Sequence, residues 1–474
     1  MIVDLLDRLV VPSRLGLIYR GGETLGYNPG LNIWHRLDES CTEVLRWLRA
    51  GRDRDRLEGH LVERFGYTPE AARERLQEIV KWCILRRLLY LDREPSLPEF
   101  VHPVNPLATV YWICTQACNL RCTYCYQEAT VTRPHELSTA EAKALIDQVV
   151  EAGAQTFVFT GGEPFTRRDL LEVASYSKSR GLRTNVITNG HYIRNKNVES
   201  IAEIFDLVTI SLDHGLPEHH DRHRGAGSWE RALNAIDLLL EAGVRVDVNS
   251  VLSRLGLQDV KELLRLGRTR RLGQHRIVPQ FPMGRGACSR NDELTPTELL
   301  QLNDQLSDVK RDLEDNESCV TMEGAYGKKG LRRNHCGAGL SEVSIDPEGW
   351  VYPCKLLQYP QFRTQNIRDA RLMDIFRNNP LLRSTQGKVV DTLHPCKTCI
   401  IKNDCGGGCR GIHVSFTQEY SQTHPLFCSY LRRAFEVRAW GSTGDVPAHR
   451  KAQFHDVSGF QPRIIPLSEV VSKS

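Results

Sequence analysis

No stretch of the 474-residue chain approaches the roughly 18 consecutive apolar residues of a membrane span. The opening run Met1-Ile2-Val3-Asp4-Leu5-Leu6-Asp7-Arg8 carries acidic groups where a secretory signal needs its apolar segment. No membrane partner is therefore expected, and a cytoplasmic location is the default. Neither sign of charge dominates: 62 Lys and Arg stand against 58 Asp and Glu, a formal net charge of +4. That balance gives no global field to attract nucleic acid or an anionic bilayer. The chain also lacks any internal repeat.

What is present is an ordinary globular composition, 41% hydrophobic and 25% charged, with length for about three domains. The unusual component is 15 cysteines. In a reducing compartment thiols point to metal ligation before disulfides. Ten fall into spaced patterns: Cys118, Cys122 and Cys125 form one knot, and Cys336, Cys354, Cys396, Cys399, Cys405, Cys409 and Cys428 form a C-terminal group.

Residues 1–95 read as a unit of their own. Leu15–Tyr19 and Leu31–Trp34 are strand-like runs separated by Gly-Gly and Asn-Pro-Gly turn signals, three helical patterns follow, and 88–91 reads as a closing strand. In the last helix Ala72, Leu76, Ile79, Val80, Cys83 and Ile84 form the apolar stripe, with Thr68-Pro69-Glu70 as start signal. Cys41 and Cys83 are expected in its core. Small strands with three helices make a winged-helix-like pattern, most often a DNA-binding one. The first hundred residues hold 16 basic and 16 acidic side chains, however, so the electrostatic footprint of duplex binding is missing. A proline-rich linker runs from Glu94 to Pro106.

Strand-like and helix-like segments then alternate over 105–300. Strands are expected at 109–113, 156–160, 184–188, 207–211, 246–251 and 276–279, with amphipathic helices such as 138–152 and 229–242 between them. Such alternation implies an α/β fold with a parallel sheet, here a partial (β/α)6 barrel whose chemistry sits at the C-terminal strand ends. Residues 330–435 are cysteine- and glycine-rich, with little room expected for a hydrophobic core. Residues 441–474 read as a surface-docked tail.

The first strand leads into Cys118-Asn119-Leu120-Arg121-Cys122-Thr123-Tyr124-Cys125. Three thiolates at this spacing can converge on one iron–sulfur cluster and leave a fourth metal corner without a protein ligand. A zinc knuckle completed by Cys114 or His135 is the alternative. The second strand closes on Gly161-Gly162-Glu163-Pro164, the third on Thr188-Asn189-Gly190 and the fourth on Ser211-Leu212-Asp213, with Arg224 following. His219, His220 and His223 read as solvated loop histidines rather than metal ligands, and Gly227 with Ser228 as a helix cap.

The three-cysteine loop, with an aromatic before its third cysteine, and the Gly-Gly-Glu-Pro element in register resemble the radical S-adenosylmethionine superfamily. The resemblance implies that Gly161, Gly162, Glu163, Pro164, Asn189, Ser211 and Arg224 contact S-adenosylmethionine, with Glu163 also open to a structural role. The C-terminal spacing resembles the SPASM domain: Cys336, twelve residues, Gly349, four residues, Cys354, then Cys396-x2-Cys399-x5-Cys405-x3-Cys409 and Cys428. That resemblance implies two auxiliary clusters, hence three [4Fe-4S] clusters in all. Cys336, Cys354 and Cys409 would hold the nearer auxiliary cluster, and Cys396, Cys399, Cys405 and Cys428 the farther one. The nearer lacks a fourth ligand, for which Cys319, Cys288 or an open site remain. Lys355 stands where sulfatase-maturing relatives place a catalytic acid, which argues against formylglycine formation.

In this company the N-terminal unit resembles a RiPP recognition element, which binds the leader of a ribosomally made peptide as an added strand and needs no basic charge. The implied activity is a radical peptide maturase forming thioether crosslinks, in the manner of members that join Cys to Asp or Glu. Carbon–carbon crosslinking is the runner-up. An electron donor such as flavodoxin or ferredoxin is implied as a further partner. An iron–sulfur electron carrier and a zinc-stabilised DNA-binding regulator are the readings from other classes.

Overall fold

The computed structural model describes residues 2–96, 107–254, 256–288, 294–312, 320–322, 330–441 and 452–453. Cys319, the linker beyond Ser96 and most of the expected tail lie outside them.

After α1 (Ile2–Asp7) and β1 (Leu9–Val10), strands β2 (Gly16–Arg20), β3 (Glu23–Asn28) and β4 (Ile33–Leu37) form an antiparallel meander. β3 occupies the stretch between the two turn signals, which the sequence reading did not assign. Gly21 and Gly22 both take positive φ, 56° and 88°, the backbone of a tight hairpin, and Arg20 pairs with Glu23 across it. Helices α2 (Glu39–Arg49), α3 (Leu57–Phe65) and α4 (Pro69–Leu85) cover one side, and β5 (Tyr90–Leu91) closes the unit on β1. Thr68 caps α4 by accepting from the Ala71 N–H. Ala72, Leu76, Ile79, Val80 and Cys83 bury the expected stripe, with Cys41 and Cys83 in the same core.

The central unit runs β6 (Thr109–Ile113), α5 (Thr139–Glu151), β7 (Thr156–Thr160), α6 (Leu170–Ser179), β8 (Arg183–Thr188), α7 (Val198–Ile204), β9 (Leu207–Ser211), α8 (Pro217–Arg224), α9 (Ser228–Glu241), β10 (Val246–Leu252), α10 (Gly256–Thr269) and β11 (His275–Pro279). All six expected strands are there, each parallel to the next. Their residues alternate. Val110, Trp112, Phe157, Phe159, Val208 and Ile210 pack outward under the helices. Tyr111, Val158, Asn185, Thr209, Asp247 and Asn249 face an inner cavity of about 520 Å³.

The sheet extends beyond these six. After α11 (Pro296–Asp312), β12 (Val320–Met322) adds in parallel to β11; β13 (Glu342–Ile345) adds in parallel to β6 and carries β14 (Val351–Tyr352) antiparallel. The cysteine-rich region is thus hydrogen-bonded into the barrel sheet. It continues through α12 (Leu372–Asn378), α13 (Pro380–Gln386), α14 (Lys402–Cys405), α15 (Arg410–Thr417) and α16 (Pro425–Gly441), and β15 (Ala452–Gln453) docks on β2.

The expectation of little hydrophobic core after residue 330 is corrected. Phe427, Tyr430, Phe435 and Trp440 of α16 are fully buried, because the helix lies between the barrel and the N-terminal sheet. The Phe435 ring sits 4.9 Å from Tyr27 and 5.4 Å from Trp34. Among the described residues no helix is long and apolar enough to cross a membrane.

Candidate active site and metal centres

Leaving β6, the chain turns at fully buried Cys114, which packs in the helix-facing core with Trp112. His135 is exposed. The loop beyond brings Cys118, Cys122 and Cys125 together, so that Cys118 feels the charge of both other thiols and Cys122 that of Cys125. Burial pushes the Cys118 thiol up to about 11, with the neighbouring Glu163, Cys122 and Cys125 adding to the rise. Three crowded, half-buried thiols form a soft donor set that a bound cation would satisfy.

The Gly-Gly-Glu-Pro turn leans directly on this loop. The Gly162 N–H donates to the Thr115 carbonyl at 2.9 Å, and the Glu163 N–H to the Ala117 carbonyl at 2.8 Å. A Cβ on Gly161 would lie 2.6 Å from the Thr115 oxygen, and one on Gly162 2.2 Å from the Ala117 oxygen. Only glycine permits two backbones to touch this way.

Glu163 is fully buried. Its carboxylate accepts from Thr188 Oγ1 at 2.6 Å, the Asn189 N–H at 2.8 Å and the Phe165 N–H at 3.2 Å. Burial raises this carboxyl to about 7, and those hydrogen bonds oppose the rise. The side chain therefore ties the end of β7 to the end of β8. Asn189 extends the tie: its Nδ2 donates to Asn119 Oδ1 at 2.9 Å, inside the cysteine loop.

Ser211 closes β9 beside Asn249 of β10 and is half-buried. Arg224, at the end of α8, forks onto fully buried Asp213, with one contact at 3.1 Å and a shorter one through Nε. The Tyr124 hydroxyl donates to the same carboxylate, and the Val251 N–H adds a bond at 2.8 Å. Burial would raise the Asp213 carboxyl, but Arg224 overrides it and holds the group well below the usual range. Asp213 thereby links the cysteine loop, α8 and β10. Gly227 stands at the N-cap of α9 as expected, while the Asp221 carboxylate supplies the bonds, to the Gly227 and Trp229 N–H groups and the Ser228 hydroxyl.

The histidines after β9 require a correction. They lie on a helix, and His220 and His223 are 1% and 2% exposed. Pro217 starts α8, and positions three apart share its inner face. His220 Nδ1 accepts from the Asp213 N–H at 3.2 Å, and His223 Nδ1 lies 3.0 Å from Thr123 Oγ1. Beside the cysteine loop opens a cavity of about 590 Å³ whose lining includes Arg121, Arg194, Arg222, Arg224, Arg231 and His191, and no carboxylate.

The seven C-terminal cysteines divide into two sets. Cys396, Cys399, Cys405 and Cys428 surround one tight site, with Arg432 donating to Cys399 Sγ at 3.8 Å. Cys336, Cys354 and Cys409 line a second cavity of about 250 Å³. Gly406, Gly407 and Gly408 all take left-handed φ, 64°, 87° and 69°, which reverses the chain and sends Cys405 and Cys409 to different sets. Cys288 lies elsewhere, exposed, in a turn whose Arg285 N–H bonds the Cys125 carbonyl.

Sequence reasoning singled out Lys355 at the second cavity but missed Glu342, Tyr111 and Arg276 beside it. Glu342 lines it and, after burial, is the largest influence on the Cys354 thiol. Lys355 rests its ammonium 4.6 Å from the Tyr111 ring centre. Tyr111 and Arg276 line both this cavity and the barrel interior, joining the two spaces. Their inward alternation along β6 and β11 was the available signal.

Comparison with known proteins gives two family matches: the Radical SAM superfamily over residues 112–267, and the SPASM iron-sulfur cluster-binding domain over 336–400. The AdoMet-dependent heme synthase of Oleidesulfovibrio alaskensis is 30% identical over 367 residues, covering 71% of this chain and 91% of that protein. Mycofactocin maturase MftC of Mycobacterium tuberculosis is 30% identical over 320 residues, covering 66% and 81%. The structure of SuiB from Streptococcus suis bound to precursor peptide SuiA matches with a TM-score of 0.57 at 15% identity, covering 88% of this chain and 98% of SuiB, a likeness of fold.

Proposed function

The chain belongs to the radical S-adenosylmethionine superfamily and carries its SPASM iron–sulfur domain, and from that premise we propose that it is a maturase forming thioether crosslinks within a ribosomally made peptide. The observation that carries this reading is the sorting of ten cysteines into sets of three, three and four, the first against the Gly161-Gly162 turn and the second open to the barrel interior. A [4Fe-4S] cluster held at the first set, reduced by one electron from an external donor, would with S-adenosylmethionine supply radical chemistry for hydrogen abstraction from a side chain or α-carbon.

Cys118, Cys122 and Cys125 would hold that cluster. Gly161, Gly162 and Pro164 would offer the cosubstrate a backbone cradle, with Asn189, Ser211 and Arg224 beside it and Glu163 holding the cradle in shape. Cys336, Cys354 and Cys409 would hold the nearer auxiliary cluster. Glu342 or a peptide thiolate would complete it, with Lys355 and Arg276 favouring the anionic form. Cys396, Cys399, Cys405 and Cys428 would hold the farther cluster.

The N-terminal meander supports a leader-binding role. β15 covers its β2 edge, while β4 is paired on one side only among the described residues. A leader strand adds there by main-chain hydrogen bonds. The arginine-lined cavity beside the first cysteine loop suits an acidic electron donor such as flavodoxin or ferredoxin. At the finest level, the length, the N-terminal unit and the complete cysteine set resemble the maturase of quinohemoprotein amine dehydrogenase, which joins Cys to Asp or Glu.

Two other outcomes are distinguishable. Carbon–carbon crosslinking leaves thiols reactive. A tetrapyrrole activity like that of the heme synthase relatives leaves the peptide untouched. Incubating the reduced enzyme with the short peptide encoded beside its gene should remove two hydrogens per bond and make the peptide's cysteines resistant to alkylation. An unchanged peptide in the presence of active cosubstrate cleavage would overturn the proposal.

A further inference from the structure

We propose that His214, His219 and Asp259 form a binding site for one divalent transition-metal ion of the zinc class, separate from all three cysteine sets. His214 leaves β9 directly after Asp213, His219 lies on the first turn of α8, and Asp259 lies on the first turn of α10. Their ligand atoms fall within 4.8 Å of one another.

The buried polar atoms are the telling feature. His214 is 0% exposed, yet neither of its ring nitrogens has a hydrogen-bond partner. Asp259 is 1% exposed, and its Oδ1 is likewise unpartnered. Leaving such groups unsatisfied is costly, so a native structure normally answers them with a proton donor, a water or an ion.

The donor atoms also lie close enough together to share one ion. His214 Nδ1 stands 3.5 Å from Asp259 Oδ1, and His219 Nδ1 stands 3.3 Å from Asp259 Oδ2, which also accepts from the Leu216 N–H at 2.9 Å. The His219–Asp259 contact is a long hydrogen bond, where a charge-assisted one is usually about 2.7–2.9 Å. Ligands of a tetrahedral zinc ion with metal bonds near 2.0–2.1 Å stand about 3.3 Å apart, a spacing that donor atoms already no more than 4.8 Å from one another reach by small side-chain shifts. Two imidazoles and a carboxylate are also a donor set that zinc accepts.

The surrounding backbone keeps the place clear. A Cβ on Gly256 would sit 3.2 Å from His214 Nδ1, and one on Gly215 only 2.5 Å from the Leu263 nitrogen. The first glycine leaves the ring edge open, and the second lets the loop lie flat on α10. The side chain of His219 is 19% exposed and gives the ion its entry and a position for water.

An ion here would fasten the loop that presents Asp213, and through it Arg224 and Tyr124, onto α10. His214 also stacks on His223, at 5.5 Å and 13°, the residue that touches Thr123 inside the cysteine loop. The site is therefore a positioning device for the cosubstrate end of the barrel.

The test is metal analysis of the cluster-loaded holoenzyme. Wild type should retain about one zinc per chain beyond its cluster iron. His219→Ala should lose that zinc with iron unchanged, and His219→Cys, which keeps a ligand, should retain it. Added zinc should raise the melting temperature of chelator-treated wild type and not of His219→Ala. Wild type holding less than about a tenth of an equivalent after zinc addition, or His219→Ala retaining as much zinc as wild type, would overturn the site.

Discussion

At the scale of single residues, the site is organised by groups that touch the cysteine loop without being thiols. A methyl group at position 162 would stand 2.2 Å from the Ala117 carbonyl oxygen, so Gly162→Ala must part the two loops. We expect 5′-deoxyadenosine formation to fall at least about tenfold, which corresponds to about 1.4 kcal/mol, while the cysteines of the other two sets keep their iron. Glu163 yields a pH dependence of known sign. Its folded value near 7 exceeds the ordinary 4.5, so its contribution is complete below the ordinary value and is lost as pH rises through 7. Thermal unfolding should show wild type losing about 3 kcal/mol between pH 5 and pH 8 from this group, and Glu163→Gln should flatten that slope. The Gly-Gly-Glu-Pro motif marked the place in sequence. Its internal purpose was hidden because Thr188, Asn189 and the Ala117 carbonyl reach it only once three strands lie side by side.

At the scale of elements, periodicity located what periodicity governs. The six barrel strands and the helices at 139–151 and 228–241 follow from their apolar spacing. What escaped were segments whose partners are remote: β12, β13 and β14 are two to four residues long and exist because an edge of the barrel sheet receives them. The histidines of α8 escaped for a related reason. Pro217 and the seven polar residues after it give no apolar stripe, and burial comes from polar partners instead. Helix α16 is the clearest tertiary element, since its Trp440 fills the seam with Ile18 and Trp34. Trp440→Ala should cost about 3–5 kcal/mol in a denaturant titration and loosen the N-terminal sheet. Arg194 and Arg231 are exposed and line the cavity beside the first cysteine loop. Replacing both by Glu should raise the KM for an acidic protein donor, with the effect shrinking as salt increases. Reduction by dithionite should be unchanged.

At the scale of the whole molecule, the near-neutral charge and the cysteine count describe one arrangement. The barrel sheet is continuous with the β13–β14 hairpin, so the first and second cysteine sets sit on one rigid frame, joined through the cavity that Tyr111 and Arg276 share. The third set lies against α16, which in turn supports the N-terminal meander. A peptide held at β4 would thus be anchored to the same body that carries all three centres. The spacing of the cysteines separated the three-cysteine loop from the C-terminal seven, and the SPASM resemblance implied how the seven divide, whereas the joining of the sets was not legible because it depends on strand pairing across more than two hundred residues. Iron per chain in the anaerobically purified protein tests the central claim most directly. Wild type should hold about twelve irons, and a variant with Cys396, Cys399, Cys405 and Cys428 replaced by alanine about eight; a wild-type protein holding only about four would contradict it.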